Sequence, residues 1–169
     1  MLRLCSTLRR RYAGALILLL VTIMPSACRR AQDGSLIGTF QMGEKVHAGP
    51  LVYTVMEAEW KHQLGDGGRT PVHRFLFLRV DMKNNSSATI SVPAFVLQAP
   101  NGNRYDEVTE GLEHVYNPLN MLRTVAAGQT DQGFVVFDAP VGAYKLVMSD
   151  AGEVGNERYA HVQIPVQLD

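Results

Sequence analysis

The stretch His73–Lys83, "HRFLFLRVDMK", decides the fold. Leu76, Leu78, Val80 and Met82 fall on one side of an extended chain. The other side begins apolar, with Phe75 and Phe77, and turns charged at Arg79, Asp81 and Lys83. A period of two that is apolar on both faces early and on one face late predicts a central β-strand whose first half is covered on both sides. "NNSS" at 84–87 ends it as a turn.

The same period recurs outward from this strand. Upstream, "LVYTVMEAEW" (51–60) sets Met56, Ala58 and Trp60 against Glu57 and Glu59, and "GDGGR" (65–69) reads as a hairpin tip before the central strand. Downstream come "ATISV" and "FVLQAP". "NGN" (101–103) is a hairpin turn that needs positive φ, with "RYDEV" returning from it. "DQGFVVFDAP" and "AYKLVMSD" read as a further pair joined through "PVG" (140–142). "YAHVQIPVQL" closes the chain, alternating Ala160, Val162, Ile164, Val166 and Leu168 with polar residues. Pro165 should make that strand an edge, or break it near its end. Turns every eight to twelve residues predict an all-β protein, an antiparallel sandwich of seven or eight strands over residues 40–169.

The N-terminus has the parts of an export signal over residues 1–27: a positive "MLRLCSTLRRRY", a ten-residue apolar "ALILLLVTIM" (15–24), then "PSAC". The apolar run is roughly half of the ~20 residues that span a bilayer. Cys5 lies within the segment to be removed, which leaves Cys28 as the only thiol of the exported part. "SAC" resembles a bacterial lipobox, although Pro25 stands where Leu or Val is usual. The resemblance implies that Cys28 is acylated and becomes the new N-terminus. The competing reading is cleavage near Ala27 and free secretion. Two or three acyl chains on one cysteine would anchor the protein stably, and Arg29 and Arg30 would add attraction to anionic headgroups. Arg29 at the position after the cysteine implies the periplasmic face of an outer membrane. Residues 28–39 then form a lipidated cysteine and a flexible tether, whose eleven residues after Cys28 would span about 17–20 Å.

Charge removes one class of partner. The whole chain carries 16 basic and 16 acidic residues, but four of the arginines lie in residues 1–27. The remaining 12 basic against 16 acidic residues make a mildly acidic body without a basic stripe, so no nucleic-acid partner is expected.

Four stretches, "GEKVHAGPLVYTV", "FLFLRVDMKNNSSATISV", "FVLQAPNGNRY" and "AAGQTDQGFVVFDAP…YKLVMSD", follow one another in an order that resembles the bacterial telokin-like family, grouped with immunoprotective extracellular proteins. Asn84 at the end of the long strand and Gly128 before "GFVVF" carry much of the likeness. The resemblance implies an immunoglobulin-like sandwich behind a lipobox and brings no catalytic residues with it.

The chemistry-bearing motifs are few. No nucleophile elbow, H-E-x-x-H, C-x-x-C or phosphate loop is present. No enzyme and no cofactor are expected. Five histidines and several methionines raise a copper- or zinc-binding alternative, but no pair has ligand spacing, and Met56, Met82 and Met148 read as core. "DEVTEGLEHVYNPLNML" (106–122) is long for a sandwich connection, and long loops often bind. The competing reading is a crossover whose apolar residues cap the core. If a partner surface exists, Trp60, His62, Leu112, His114 and Tyr116 are its candidates. The expected function is a membrane-tethered, non-enzymatic interaction module of the cell envelope with an envelope-protein partner. The alternative is a periplasmic small-ligand or metal-binding protein.

Overall fold

A computed structural model describes residues 35–120 and 122–166. The expected export segment, Cys28 and the expected tether up to residue 34 lie outside the described residues. The described chain is built of strands, with one 3₁₀ turn at Leu112–His114. In order the strands are β1 (Leu36–Gln41), β2 (Val46–Ala48), β3 (Leu51–Lys61), β4 (Arg74–Asn84), β5 (Ile90–Val92) and β6 (Val96–Gln98). They continue with β7 (Arg104–Asp106), β8 (Arg123–Val125), β9 (Thr130–Ala139), β10 (Tyr144–Ser149) and β11 (Tyr159–Ile164).

These make a β-sandwich. One sheet has the order β1-β11-β10-β6-β7, the other β2-β3-β4-β9, and β5 pairs with β8 in a small third piece. The reading of the central stretch holds: β4 lies between β3 and β9, antiparallel to both. Its Leu76, Leu78, Val80 and Met82 enter the main core with Tyr53, Val55 and Trp60 of β3, Val135 and Phe137 of β9, and Leu97, Leu146, Met148, Val162 and Ile164 of the facing sheet. Phe75 and Phe77 point the other way, into a second cluster with Leu64, Val108, Val115 and Val136. The change from two covered faces to one is where this cluster stops.

Several expectations need correction. Met56 is exposed, because Val55 pairs with Val80 and Glu57 with Arg79, leaving Met56 as the extra residue of a bulge. The bulge switches the inward parity from Tyr53 and Val55 to Ala58 and Trp60. Met82 and Met148 are buried as expected. The strands "DQGFVVFDAP" and "AYKLVMSD" are not a hydrogen-bonded pair: β9 belongs to one sheet and β10 to the other, so "PVG" is a crossover. The last strand is not an edge. It ends before Pro165, and β1 pairs with it in parallel, so the sandwich is not wholly antiparallel. Residues 36–39, expected in the tether, are therefore part of a strand. The seven or eight expected strands become eleven because β1 and the three-residue pieces β2 and β8 also pair. At "NGN" only Gly102 has positive φ (90°). Hydrogen bonds from Gly102 N to Ala99 O and from Ala99 N to Asn103 O make the turn a longer hairpin with a glycine bulge.

Candidate binding face

The two loops chosen from sequence do meet, but mainly to pack. Leu64 is fully buried against Val108 and Val115. Leu64 Cδ1 lies 3.0 Å from where a Cβ on Gly111 would be, and a Cβ on Gly65 would collide with the carbonyl oxygen of His114. Leu112 packs against this second cluster. Trp60 is 7% exposed and sits in the main core, its ring 6.2 Å from that of Tyr144; it is not a surface residue. His62 is exposed, as is His114, which has Glu113 at 3.6 Å. Tyr116, 86% exposed, is the one member of the five that offers a large free apolar surface.

The long loop also closes an edge. β9 has no strand beyond it, yet Val108 N donates to Val136 O (2.8 Å), Leu119 N to Phe134 O (2.8 Å) and Phe134 N to Asn117 O (2.9 Å). Both ends of the loop are fastened by a buried pair that sequence reading missed. Glu107 and Arg123, each with a 3% exposed side chain, form a two-pronged ion pair at 2.7 and 2.8 Å. Arg123 also donates to Pro93 O and lies 4.3 Å over the Phe95 ring, while Phe95 N donates to Glu107. The two residues stand sixteen apart among ordinary surface-type charges, and no local spacing marks them as partners. The crossover reading of residues 106–122 accounts for most of the loop.

A second place has the form of a binding surface. Residues opposite one another in a sheet share a face. Across the five-stranded sheet Gln41 pairs with Gln163, Gln163 with Lys145, Lys145 with Gln98 and Gln98 with Arg104. The neighbouring row runs Thr39, His161, Val147, Val96, Asp106. Since Leu146, Met148, Ala160 and Val162 point into the core, both rows face outward. A hollow of about 510 Å³ is lined by Gln41, Gln98, Lys145, Gln163 and Pro165 among others. A second, of about 370 Å³, is lined by Gln98, Arg104, Val147, Tyr159 and His161. Gln98 borders both. Neither Lys145 nor Arg104 forms an ion pair among the described residues, and the Nδ1 of His161 is buried without a hydrogen-bond partner. Burial, then the charge of Lys145, holds the His161 imidazole below its usual pKa. The polar alternates of "VLQ", "YKLVM" and "AHVQI" were visible in sequence; the strand order that aligns them was not.

Other titratable groups serve the frame. Asp138 accepts hydrogen bonds from Val72 N (2.8 Å) and His73 N (2.9 Å), with His73 Nδ1 farther away at 3.8 Å. Burial would raise the Asp150 carboxyl, but hydrogen bonds from Arg158 N, Gly152 N and the Arg158 side chain outweigh it and hold the group below the usual range. Among the described residues no three His, Cys, Asp or Glu side chains converge as a metal site.

This geometry defines a two-sheet β-sandwich with an open polar sheet face. The chain belongs to the family described as a domain of unknown function, DUF4352, whose model matches residues 40–158. The YjhA protein of Bacillus subtilis has a similar structure at 20% identity and a TM-score of 0.55, covering 73% of this chain and 98% of that one. YcdA of B. subtilis, described as a candidate lipoprotein, is similar at 14% identity and TM-score 0.58, over 72% of this chain and 38% of that one. The secreted protein MPT63 of Mycobacterium tuberculosis is similar at 12% identity and TM-score 0.51, over 75% and 95%. At such identities the likeness is one of fold. No curated protein matches.

Proposed function

We propose that this chain is an exported, lipid-anchored binding module of the cell envelope that acts without catalysis and uses the outer face of its five-stranded sheet. The observation that carries the reading is the polar row from Gln41 to Arg104, whose two cations are left without partners inside the described chain. Folded surfaces normally intersperse charges of both signs; on these two rows Asp106 is the one acid. Export is supported by the signal-like residues 1–27 and Cys28, and by likeness to a candidate lipoprotein and a secreted protein. An immunoglobulin-like reading of the sandwich is supported by Tyr144. It stands at the start of β10, just after the crossover from β9, and its hydroxyl donates back to Pro140 O, as in the tyrosine corner of such domains.

Two experiments test this. A photo-crosslinking residue at position 145 should give a discrete adduct in intact cells, while one at Lys83, on the opposite sheet, should not; equal labelling from both would remove the binding face. For the anchor, wild type should enter the detergent phase and Cys28→Ser the aqueous phase. If both stay aqueous, lipid attachment is wrong.

A further inference from the structure

We infer that the outer face of the five-stranded sheet takes an acidic oligosaccharide, a glycan chain bearing carboxylates; the inference rests on the binding-face reading above. The two hollows lie on the same sheet face and share Gln98 as a lining residue, one reaching to Gln41 and the other to Tyr159. Their floor is made of strand faces whose backbone groups are already paired in the sheet ladder, so a ligand must be read by side chains and not by strand addition.

Those side chains have a specific chemistry. Gln41, Gln98 and Gln163 each present a carboxamide that donates and accepts at once, which matches hydroxyl groups that do the same. Lys145 and Arg104 flank Gln98 on adjacent strands, with backbones ~9.5 Å apart. Cations so placed pair with two anionic groups spaced along a chain, with charge-assisted hydrogen bonds. Tyr159 adds a flat ring on which the apolar face of a sugar can rest, and His161 lines the same hollow. Val147 and Val96 are the only aliphatic residues of the two rows, with Leu36, Ala99, Pro100, Ala143 and Pro165 lining the hollows beside them. A nucleic acid backbone would need a run of cations, and the two rows carry only Lys145 and Arg104 beside His161.

The test uses the full chain carrying Cys28→Ser, so that no lipid is attached, with tetragalacturonate as the probe. Calorimetry should show saturable binding that weakens with salt. Lys145→Gln and Arg104→Gln should each raise the Kd at least tenfold, and Lys83→Gln on the opposite sheet should leave it unchanged. The carboxyl-reduced, neutral tetramer should bind at least tenfold more weakly. Absence of binding, equal binding of the neutral tetramer, an equal effect of Lys83→Gln, or binding only to vesicles of anionic phospholipid would each overturn the inference. A discrete adduct from position 145 in cells, alongside any of those results, would overturn the glycan and leave the binding face standing.

Discussion

Asn84 shows how much one side chain can hold. It is fully buried, and its Nδ2 donates to Ala88 O (2.6 Å) and Val125 O (2.9 Å), while its Oδ1 accepts from Ser86 N and Ser86 Oγ (both 2.8 Å). It closes the "NNSS" turn and ties β4 to β8. Asn84→Ala leaves the buried Val125 carbonyl and the Ser86 amide without their partner, while Ser86 Oγ keeps its bond to Ala88 O, so a loss of about 1–3 kcal/mol is expected, read as a lower urea midpoint at unchanged slope. Glu107 and Arg123 belong to the same scale. Glu107→Ala strands a buried guanidinium and should cost about 3–5 kcal/mol, whereas Glu107→Leu combined with Arg123→Met should recover most of that loss in the same denaturation experiment. His161 gives a pH signature. Because burial and Lys145 depress its pKa, the unfolded chain takes up the proton at a higher pH than the folded one. Stability contributed by this group is full above 6.5 and falls as pH drops below it, levelling off once the folded imidazole is protonated. An NMR titration should place the His161 midpoint below 6.5, and Lys145→Gln should raise it part of the way, burial keeping the rest.

At the scale of elements, the loop of residues 107–119 behaves as a cover. A long exposed edge at β9 would invite pairing with another chain, and the loop satisfies part of that edge while Val115 and Leu112 cover Phe75 and Phe77. Its seat depends on Gly65. That residue has φ +117°, and any Cβ there would strike the His114 carbonyl. Gly65→Ala should therefore cost at least about 1 kcal/mol. It should also speed amide exchange at Val108 and Leu119 relative to the core of β4, since both amides are held by β9 carbonyls. Much of this was legible in the chain. The doubly apolar start of β4 announced a second covered face, and the excess length of residues 106–122 announced an extra structure. The covering partner was not legible, because Leu64 lies in a glycine-rich loop without periodicity. The bulge at Met56 was hidden for a similar reason: an inserted residue preserves the local pattern on each side and shifts only the parity between them.

For the whole molecule, the sandwich class follows from a repeated period of two, but the adjacency of strands depends on long-range pairing that no local pattern carries. Thus β9 and β10 look like a hairpin and are a crossover, and Gln41, Gln163, Lys145, Gln98 and Arg104, scattered over more than a hundred residues, become one row. β1 extends the five-stranded sheet beyond β11. Deleting residues 35–41 should leave β11 with an open edge, shown as lower stability and as dimers or larger species in light scattering. The parallel pairing of β1 with β11 has a mechanical consequence as well. If residue 35 leads to a membrane anchor while the sheet face is gripped by a ligand, tension acts along β1 and loads the rungs from Gly38 to Gln41 together, not one after another. Such a joint shears only when several bonds break at once, so the strand nearest the anchor would serve as a strain-resistant attachment point for the body it holds.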